Sequence, residues 1–174
     1  MHIFTKVITK NLYMKIFLMF ILVCGQMFAY GQTTTTMSEL GKIGNLRFSL
    51  VKSDTSNSIS VSQNGNIIKY VVVPEDEIAE VVRALNAFAV EVENKPPEQK
   101  QITYRTKSLL LNCGYFKYTG WLISIQNPDP ALEQESEKIQ SRSGIQVYNF
   151  VEIKPSQIPG VVKMFLKALP AKGV

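Results

Sequence analysis

Histidine and cysteine are nearly absent from this sequence of 174 residues, which contains one histidine, His2, and two cysteines, Cys24 and Cys113. Catalytic triads, cysteine–histidine pairs and most zinc sites require histidine or several cysteines. The sequence also has no Cys-x-x-Cys pair, glycine-rich phosphate loop or EF-hand spacing. These absences predict a non-enzymatic protein that uses no metal or cofactor. An enzyme of an unrecognised type is the remaining alternative.

The acidic residues do not form a catalytic pattern. Glu75, Asp76 and Glu77 precede an apolar stripe with helical spacing, a position where carboxylates favour the positive end of a helix dipole. Glu133, Glu135 and Glu137 lie in the polar, proline-containing segment 127–143, which we expect to be exposed and mobile. Glycosidase chemistry needs two opposed carboxylic groups in a site that shifts their pKa values. Neither acidic group is predicted to provide this arrangement.

The N-terminus has the organisation of a secretory signal. Lysines at positions 6, 10 and 15 precede the apolar run 16–23, and Ala29-Tyr-Gly31 supplies a small-residue exit. We predict that residues 1–31 are a signal peptide, with Met1 or Met14 as the start, and that no membrane span remains after cleavage. The remaining chain is then extracytoplasmic, either periplasmic or secreted. A lipid anchor at Cys24 is the alternative, although Val23 stands where a lipoprotein signal has a small residue.

The net charge depends on this signal. The whole chain has 19 Lys and Arg against 14 Asp and Glu, a net charge of +5. The predicted signal contains three of the lysines and no acid, which leaves a net charge of +2 for residues 32–174. A dedicated nucleic-acid binder usually has a larger basic excess. The charge therefore disfavours nucleic acid as a partner.

Two similar stretches suggest a repeated fold. Residues 70–82 (YVVVPEDEIAEVV) and 150–162 (FVEIKPSQIPGVV) share Val71 with Val151 and Ile78 with Ile158 at an offset of 80 positions. In both, a β-branched segment runs into an apolar stripe with helical spacing. The sequence predicts strands before each stripe, an Asn64-Gly65 hairpin turn, and helices over 75–93 and 156–169. Cys113 is predicted to be a buried, small apolar residue on a strand.

The predicted fold is α+β. Two related units, each an antiparallel β-meander followed by a helix (βββα), share one core with the helices on one side of the sheet. Residues 32–44, which include four consecutive threonines, are expected to be an N-terminal tether. Residues 45–174 are expected to form a single globular domain with halves 45–95 and 101–170.

Aromatic and cationic side chains are concentrated in the second half. Five aromatics and three cations occur between positions 104 and 121, and glycines 114 and 120 bracket a short hairpin or loop. Such a hairpin is too small to bury all of its rings, and exposed Tyr and Trp are favoured contact residues. The alternative is that Tyr115, Phe116 and Trp121 fill the core. The predicted binding residues are Tyr104, Arg105, Lys107, Tyr115, Lys117, Tyr118 and Trp121.

These features favour an exported binding or interaction module. Its partner would be a protein, an envelope component or a glycan that contacts the aromatic region 115–121. The predicted strand–helix order also resembles, in topology, the Pur-alpha and Whirly single-stranded nucleic-acid binders. That resemblance implies an alternative function, binding of a polyanion or single-stranded nucleic acid through Arg105, Lys107 and Lys117.

Overall fold

The computed structural model describes residues 34–63, 67–93, 100–118 and 120–169. The predicted signal 1–31, the lipid-anchor candidate Cys24 and the Asn64-Gly65 turn lie outside these residues. Nine strands and three α-helices occur within them. The strands are β1 (Thr36–Ile43), β2 (Leu46–Lys52), β3 (Asn57–Gln63), β4 (Ile68–Pro74), β5 (Lys100–Arg105), β6 (Leu110–Phe116), β7 (Gly120–Gln126), β8 (Val147–Tyr148) and β9 (Phe150–Ile153). The helices are α1 (Ile78–Glu93), α2 (Pro130–Ser143) and α3 (Ile158–Ala168).

The α+β class is confirmed, but the strands form two sheets. The first has the order β1-β2-β3-β4-β8 and the second has the order β5-β6-β7-β9. All described pairings are antiparallel except that of β4 with β8, which is parallel. Four strands therefore precede α1, rather than the three predicted. The predicted two-fold relation between the halves stays a prediction.

One hydrophobic core joins both sheets and two of the helices. Alternating residues of the strands and one face of α1 and α3 contribute to this core. A strand with a period of two and a helix with a period of 3.6 each place their apolar side chains on one side, which packs inward. The largest fully buried side chains include Phe48, Phe88 and Phe165. Cys113 is also fully buried on β6, as predicted.

The tether predicted over residues 32–44 is wrong for most of its length, because residues 36–43 form β1. This strand pairs with β2 through a bulge between Glu39 and Gly41. Leu40 and Ile43 are half-buried against the core. The strand is thus stabilised by tertiary pairing, while most of its residues remain exposed and give the sequence a polar appearance.

The segment 127–143, which was expected to be exposed and mobile, contains helix α2 over residues 130–143, and Leu132 and Ser136 of this helix are buried. The Asp129 carboxylate accepts a hydrogen bond of 2.9 Å from the Ala131 N–H, and Pro130 occupies the first turn, where its missing N–H has no cost. Gly144 ends the helix in the left-handed conformation, with φ of 70°. The local capping signals therefore outweigh the polar composition.

The last strand of the second half is also divided. The sequence predicts a strand before the second apolar stripe, and two strands occur there: β8 joins the first sheet and β9 joins the second. The two helices after the meanders occur close to the predicted positions. Each is preceded by a short 3-10 turn, Glu75–Glu77 before α1 and Pro155–Gln157 before α3.

Each of these 3-10 turns contacts the first hairpin of the other half. Glu77 accepts hydrogen bonds from the β5–β6 turn, and the Gln157 side-chain amide donates to the Ile43 carbonyl, at the end of β1, with a distance of 3.3 Å. Glu77 and Gln157 are 80 positions apart, the same offset that separates the two similar stretches 70–82 and 150–162. The junction between strand and helix in each half therefore holds a turn of the opposite half.

Candidate functional site

The seven predicted binding residues divide into two groups at opposite ends of the second sheet. Tyr104 and Arg105 end β5, and Lys107 follows in the β5–β6 turn. Tyr115 lies near the other end of β6, next to the β6–β7 turn. A strand rises about 3.3 Å per residue, so the length of β6 separates the groups by roughly 20 Å. The structure does not bring them together as one site. The residues of the second group are Tyr115, Lys117, Tyr118 and Trp121.

Two aromatics of the second group face the core side of the hairpin. Tyr115 pairs directly with Trp121 across the β6–β7 ladder. Their ring centroids are 5.3 Å apart with an interplanar angle of 61°, the edge-to-face geometry that aromatic pairs favour. Both are half-buried, and Trp121 packs against the core. Its indole Nε1–H is buried and has no hydrogen-bond partner among the described residues. These two rings mainly support the hairpin.

The tip of the same hairpin exposes an aromatic ring. Tyr118 is 93 % exposed, and the Lys117 Nζ lies 5.8 Å from the centroid of its ring. A cation at this distance is attracted to the face of an aromatic ring. Burial of Tyr118 against a partner would remove a large apolar area from water. Tyr118 is therefore the most accessible of the predicted aromatic residues.

Two further apolar side chains extend this surface on the outer face of the hairpin. Phe116 is 36 % exposed and Leu122 is 46 % exposed. Leu122 lies opposite Gly114, and Phe116 lies opposite Gly120. A side chain at Gly114 would meet the Phe116 ring at 3.0 Å, so the ring lies over this glycine. Glycine at both opposing positions thus leaves room for two large neighbours. We define the hairpin-end surface as Phe116, Lys117, Tyr118 and Leu122.

Sequence reasoning did not select Phe116 or Leu122 as contact residues, and the alternative that Phe116 fills the core is wrong. Strand alternation was the available signal. Cys113 and Ile123 point into the core, and successive side chains of a strand point to opposite faces. Phe116 and Leu122 must then point outward. The register that fixes this relation depends on the β6–β7 pairing, which the sequence does not specify.

At the other end of β6, a buried carboxylate holds the turn. The Ser108 N–H and hydroxyl donate to the two oxygens of Glu77 at 3.1 and 2.7 Å, and the Thr106 hydroxyl also donates to Glu77. The Thr106 oxygen in turn accepts from the Leu109 N–H at 3.1 Å. Glu77 is only 3 % exposed. We define the anchored turn as Thr106, Lys107 and Ser108.

The charge of Glu77 is compensated by these contacts. Burial by itself raises the pKa of the Glu77 carboxyl, but the hydrogen bonds from Ser108 and Thr106, with the charge of Lys107, outweigh burial and lower the pKa below its ordinary value. Glu77 is therefore ionised at neutral pH. Its role is to stabilise the turn, since the carboxylate accepts hydrogen bonds from both Thr106 and Ser108.

The predicted residues near the anchored turn have different environments. The Tyr104 ring contacts Phe88 of α1, with centroids 5.5 Å apart, and remains 42 % exposed. Arg105 and Lys107 are exposed. Residues 100–126 contain four cations and no acidic residue: Lys100, Arg105, Lys107 and Lys117. Lys100 forms an ion pair with Glu91 of α1, so the other three cations are the ones that remain for a partner.

The residues that the structure describes contain no cluster of three or more His, Cys, Asp or Glu side chains that would hold a metal ion. Burial is the main cause that raises the pKa of the Cys113 thiol to about 11, so the thiol is protonated at neutral pH and is a poor nucleophile.

Within the described ranges, no helix is long and apolar enough to cross a membrane. No protein-family model matches the sequence, and no curated protein is significantly similar to it.

Proposed function

We propose that this chain is an exported, non-enzymatic binding module whose main contact is the hairpin-end surface. The observation that carries the proposal is the 93 % exposure of Tyr118 at the tip of a hairpin. The neighbouring exposed Phe116 and Leu122 enlarge the apolar area that a partner can cover. Tyrosine is favoured in such contacts because it offers a large area and has few rotatable bonds to immobilise. The partner class is a protein, an envelope component or a glycan.

A photocrosslinking amino acid at position 118, introduced in the source cells, tests this contact. We expect a discrete crosslinked species from position 118. The matched control is the same amino acid at position 148, where Tyr148 is 40 % exposed but lies on β8. Equal crosslinking from both positions, or none from 118, would contradict the proposal.

Mass spectrometry of the N-terminus of the same material tests the export prediction, which expects a chain that begins near Gln32.

A second candidate function is the binding of a polyanion. It is favoured by the four cations and absent acids of residues 100–126. The exposed cations lie at both ends of the sheet, so a polyanion would have to span roughly 20 Å to contact Arg105 and Lys117 together. Binding of a single-stranded oligonucleotide should then weaken steeply with added salt, because each neutralised phosphate releases counterions. Binding that does not change with salt would exclude this candidate.

A further inference from the structure

The edge of the second sheet is a regular strand that no described residue covers by strand pairing. β5 stands at the end of the strand order β5-β6-β7-β9. Its six residues pair with β6 without a register shift, and all except Ile102 are exposed. An edge strand presents unpaired backbone N–H and C=O groups that another strand can use. The edge of β5 therefore has the form of a strand-acceptor site.

The hydrogen-bonding pattern identifies the backbone groups that point outward. The Thr106 N–H donates to the Leu109 carbonyl at 3.0 Å, and the Leu109 N–H donates to the Thr106 hydroxyl oxygen. Residues 106 and 109 therefore continue the β5–β6 register as a hydrogen-bonded pair. Such pairs alternate along an antiparallel ladder. The backbone N–H and C=O groups of residues 100, 102 and 104 then form hydrogen bonds with β6. The N–H and C=O groups of Gln101, Thr103 and Arg105 point away from β6.

The edge of the first sheet lacks this regularity. β1 is interrupted by the bulge between Glu39 and Gly41, and bulges are one way in which proteins block edge pairing. Helix α3 also reaches this strand, because a side chain at Gly41 would meet the Met164 Cε at 2.9 Å. β1 is thus a poor acceptor. Of the four edge strands β1, β5, β8 and β9, β5 has the longest uninterrupted ladder.

The charges along β5 select the kind of strand that would add to it. Arg105 and Lys107 are exposed beside one end of the edge, and strands β5, β6 and β7 contain no acidic residue. Lys100 at the other end is paired with Glu91 of α1. A second copy that paired through its own β5 would bring the same cations and no acid, and like charges on adjoining strands are destabilising. We propose that β5 accepts an extended, acidic segment of another protein by strand addition. Main-chain hydrogen bonds would supply affinity and the cations would select the acidic sequence.

A synthetic peptide of alternating glutamate and threonine is a suitable probe, because threonine favours strands. We expect it to bind the full chain, while the matching lysine–threonine peptide does not. N-methylation of alternate residues on the edge-facing side of the acidic peptide should abolish binding, because it removes the bonding N–H groups and keeps every charge. Equal binding of the lysine peptide or of the N-methylated peptide would overturn the proposal.

Thr103→Pro tests the edge from the protein side. Its N–H points away from β6, and proline is tolerated on an edge strand when the lost N–H faces solvent. We expect Thr103→Pro to retain its melting temperature and to bind the acidic peptide at least tenfold more weakly, while Thr103→Ala binds normally. If Thr103→Pro unfolds, Arg105→Glu with Lys107→Glu replaces it and should give the same loss. Unchanged affinity in the folded variants would overturn the proposal.

Sedimentation analysis tests whether a second copy of this chain, and not an acidic segment of another protein, occupies the β5 edge. A dimer of the full chain that Thr103→Pro converts to monomer would assign the edge to a second copy and overturn the acidic-strand proposal. A monomer at all concentrations is the expected result. This inference goes beyond the proposed function, since the crosslinking at position 118 concerns the hairpin-end surface and does not depend on the β5 edge. Either experiment can fail while the other succeeds.

Discussion

The two turns that flank β6 differ in how the protein uses them. The anchored turn is tied to the buried Glu77 of the other half, whereas the β6–β7 turn exposes Tyr118 almost completely. One strand therefore connects a turn that stabilises the fold to a turn that is free for contact. Binding residues are commonly placed on exposed loops that a rigid scaffold positions. The comparison predicts that substitutions at the first turn reduce stability and that substitutions at the second reduce only binding.

The largest effect is expected for Glu77→Ala. This change leaves the Ser108 N–H and hydroxyl and the Thr106 hydroxyl without their acceptor in a buried site, and each unsatisfied group costs about 1–3 kcal/mol. We expect a loss of about 3 kcal/mol in the free energy of unfolding, measured by urea denaturation. Asp76→Ala is the matched control, since Asp76 lies in the same 3-10 turn and is exposed. Equal stability of the two variants would show that the anchored turn is unimportant.

The second effect is a dependence of stability on pH through the same carboxyl. Because the pKa of Glu77 is lower in the folded state than its ordinary value of 4.5, the unfolded state binds more protons below that pH. The contribution of Glu77 is therefore present above pH 4.5 and is lost as the pH falls through the folded-state pKa. Unfolding experiments across this range should show a smaller acid-induced loss in Glu77→Gln than in the wild type. Identical pH profiles would contradict the prediction.

An intermediate effect is expected for Trp121→Ala at the other end of β6. Truncation of a fully buried large aromatic costs about 3–5 kcal/mol, and Trp121 is half-buried, so we expect about 2 kcal/mol. Trp121→Phe should cost less, because it keeps an apolar ring and removes an indole N–H that has no partner among the described residues. Thermal unfolding of both variants measures the difference. A Phe variant as unstable as the Ala variant would indicate that the N–H has a partner in solution.

The smallest effect is expected for Tyr118→Ala. An exposed side chain away from caps and networks usually changes stability by less than about 0.5 kcal/mol, so the melting temperature should stay close to that of the wild type. A retained melting temperature together with loss of the partner crosslinked at position 118 would support the assignment of the β6–β7 turn to binding. A stability loss as large as that of Trp121→Ala would contradict this assignment, because Tyr118 would then belong to the packed part of the hairpin.

Much of the architecture could be predicted where residues carry strong local signals. The apolar stripes of α1 and α3 and the alternation of β2 and β3 indicated the correct element types, because one-sided burial imposes the periods of helices and strands. The cap formed by Asp129, Pro130 and Gly144 was also readable, although the polar composition of residues 127–143 obscured it. The burial of Cys113 followed from its apolar neighbours.

The arrangement of the site was decided only by tertiary structure. β1 is a strand because it pairs with β2, and the two-residue β8 is a strand because it pairs with the distant β4. No local period of these two segments indicates either pairing. The pairing register of β6 with β7 turned Trp121 inward and Phe116 outward, since a shift of one residue exchanges the faces. The concentration of aromatic and cationic residues at 104–121 is a property of the sequence alone. The length of β6 separates these residues into two groups. The β5–β6 turn is the anchored one because its Ser108 donates a hydrogen bond to Glu77 of the other half.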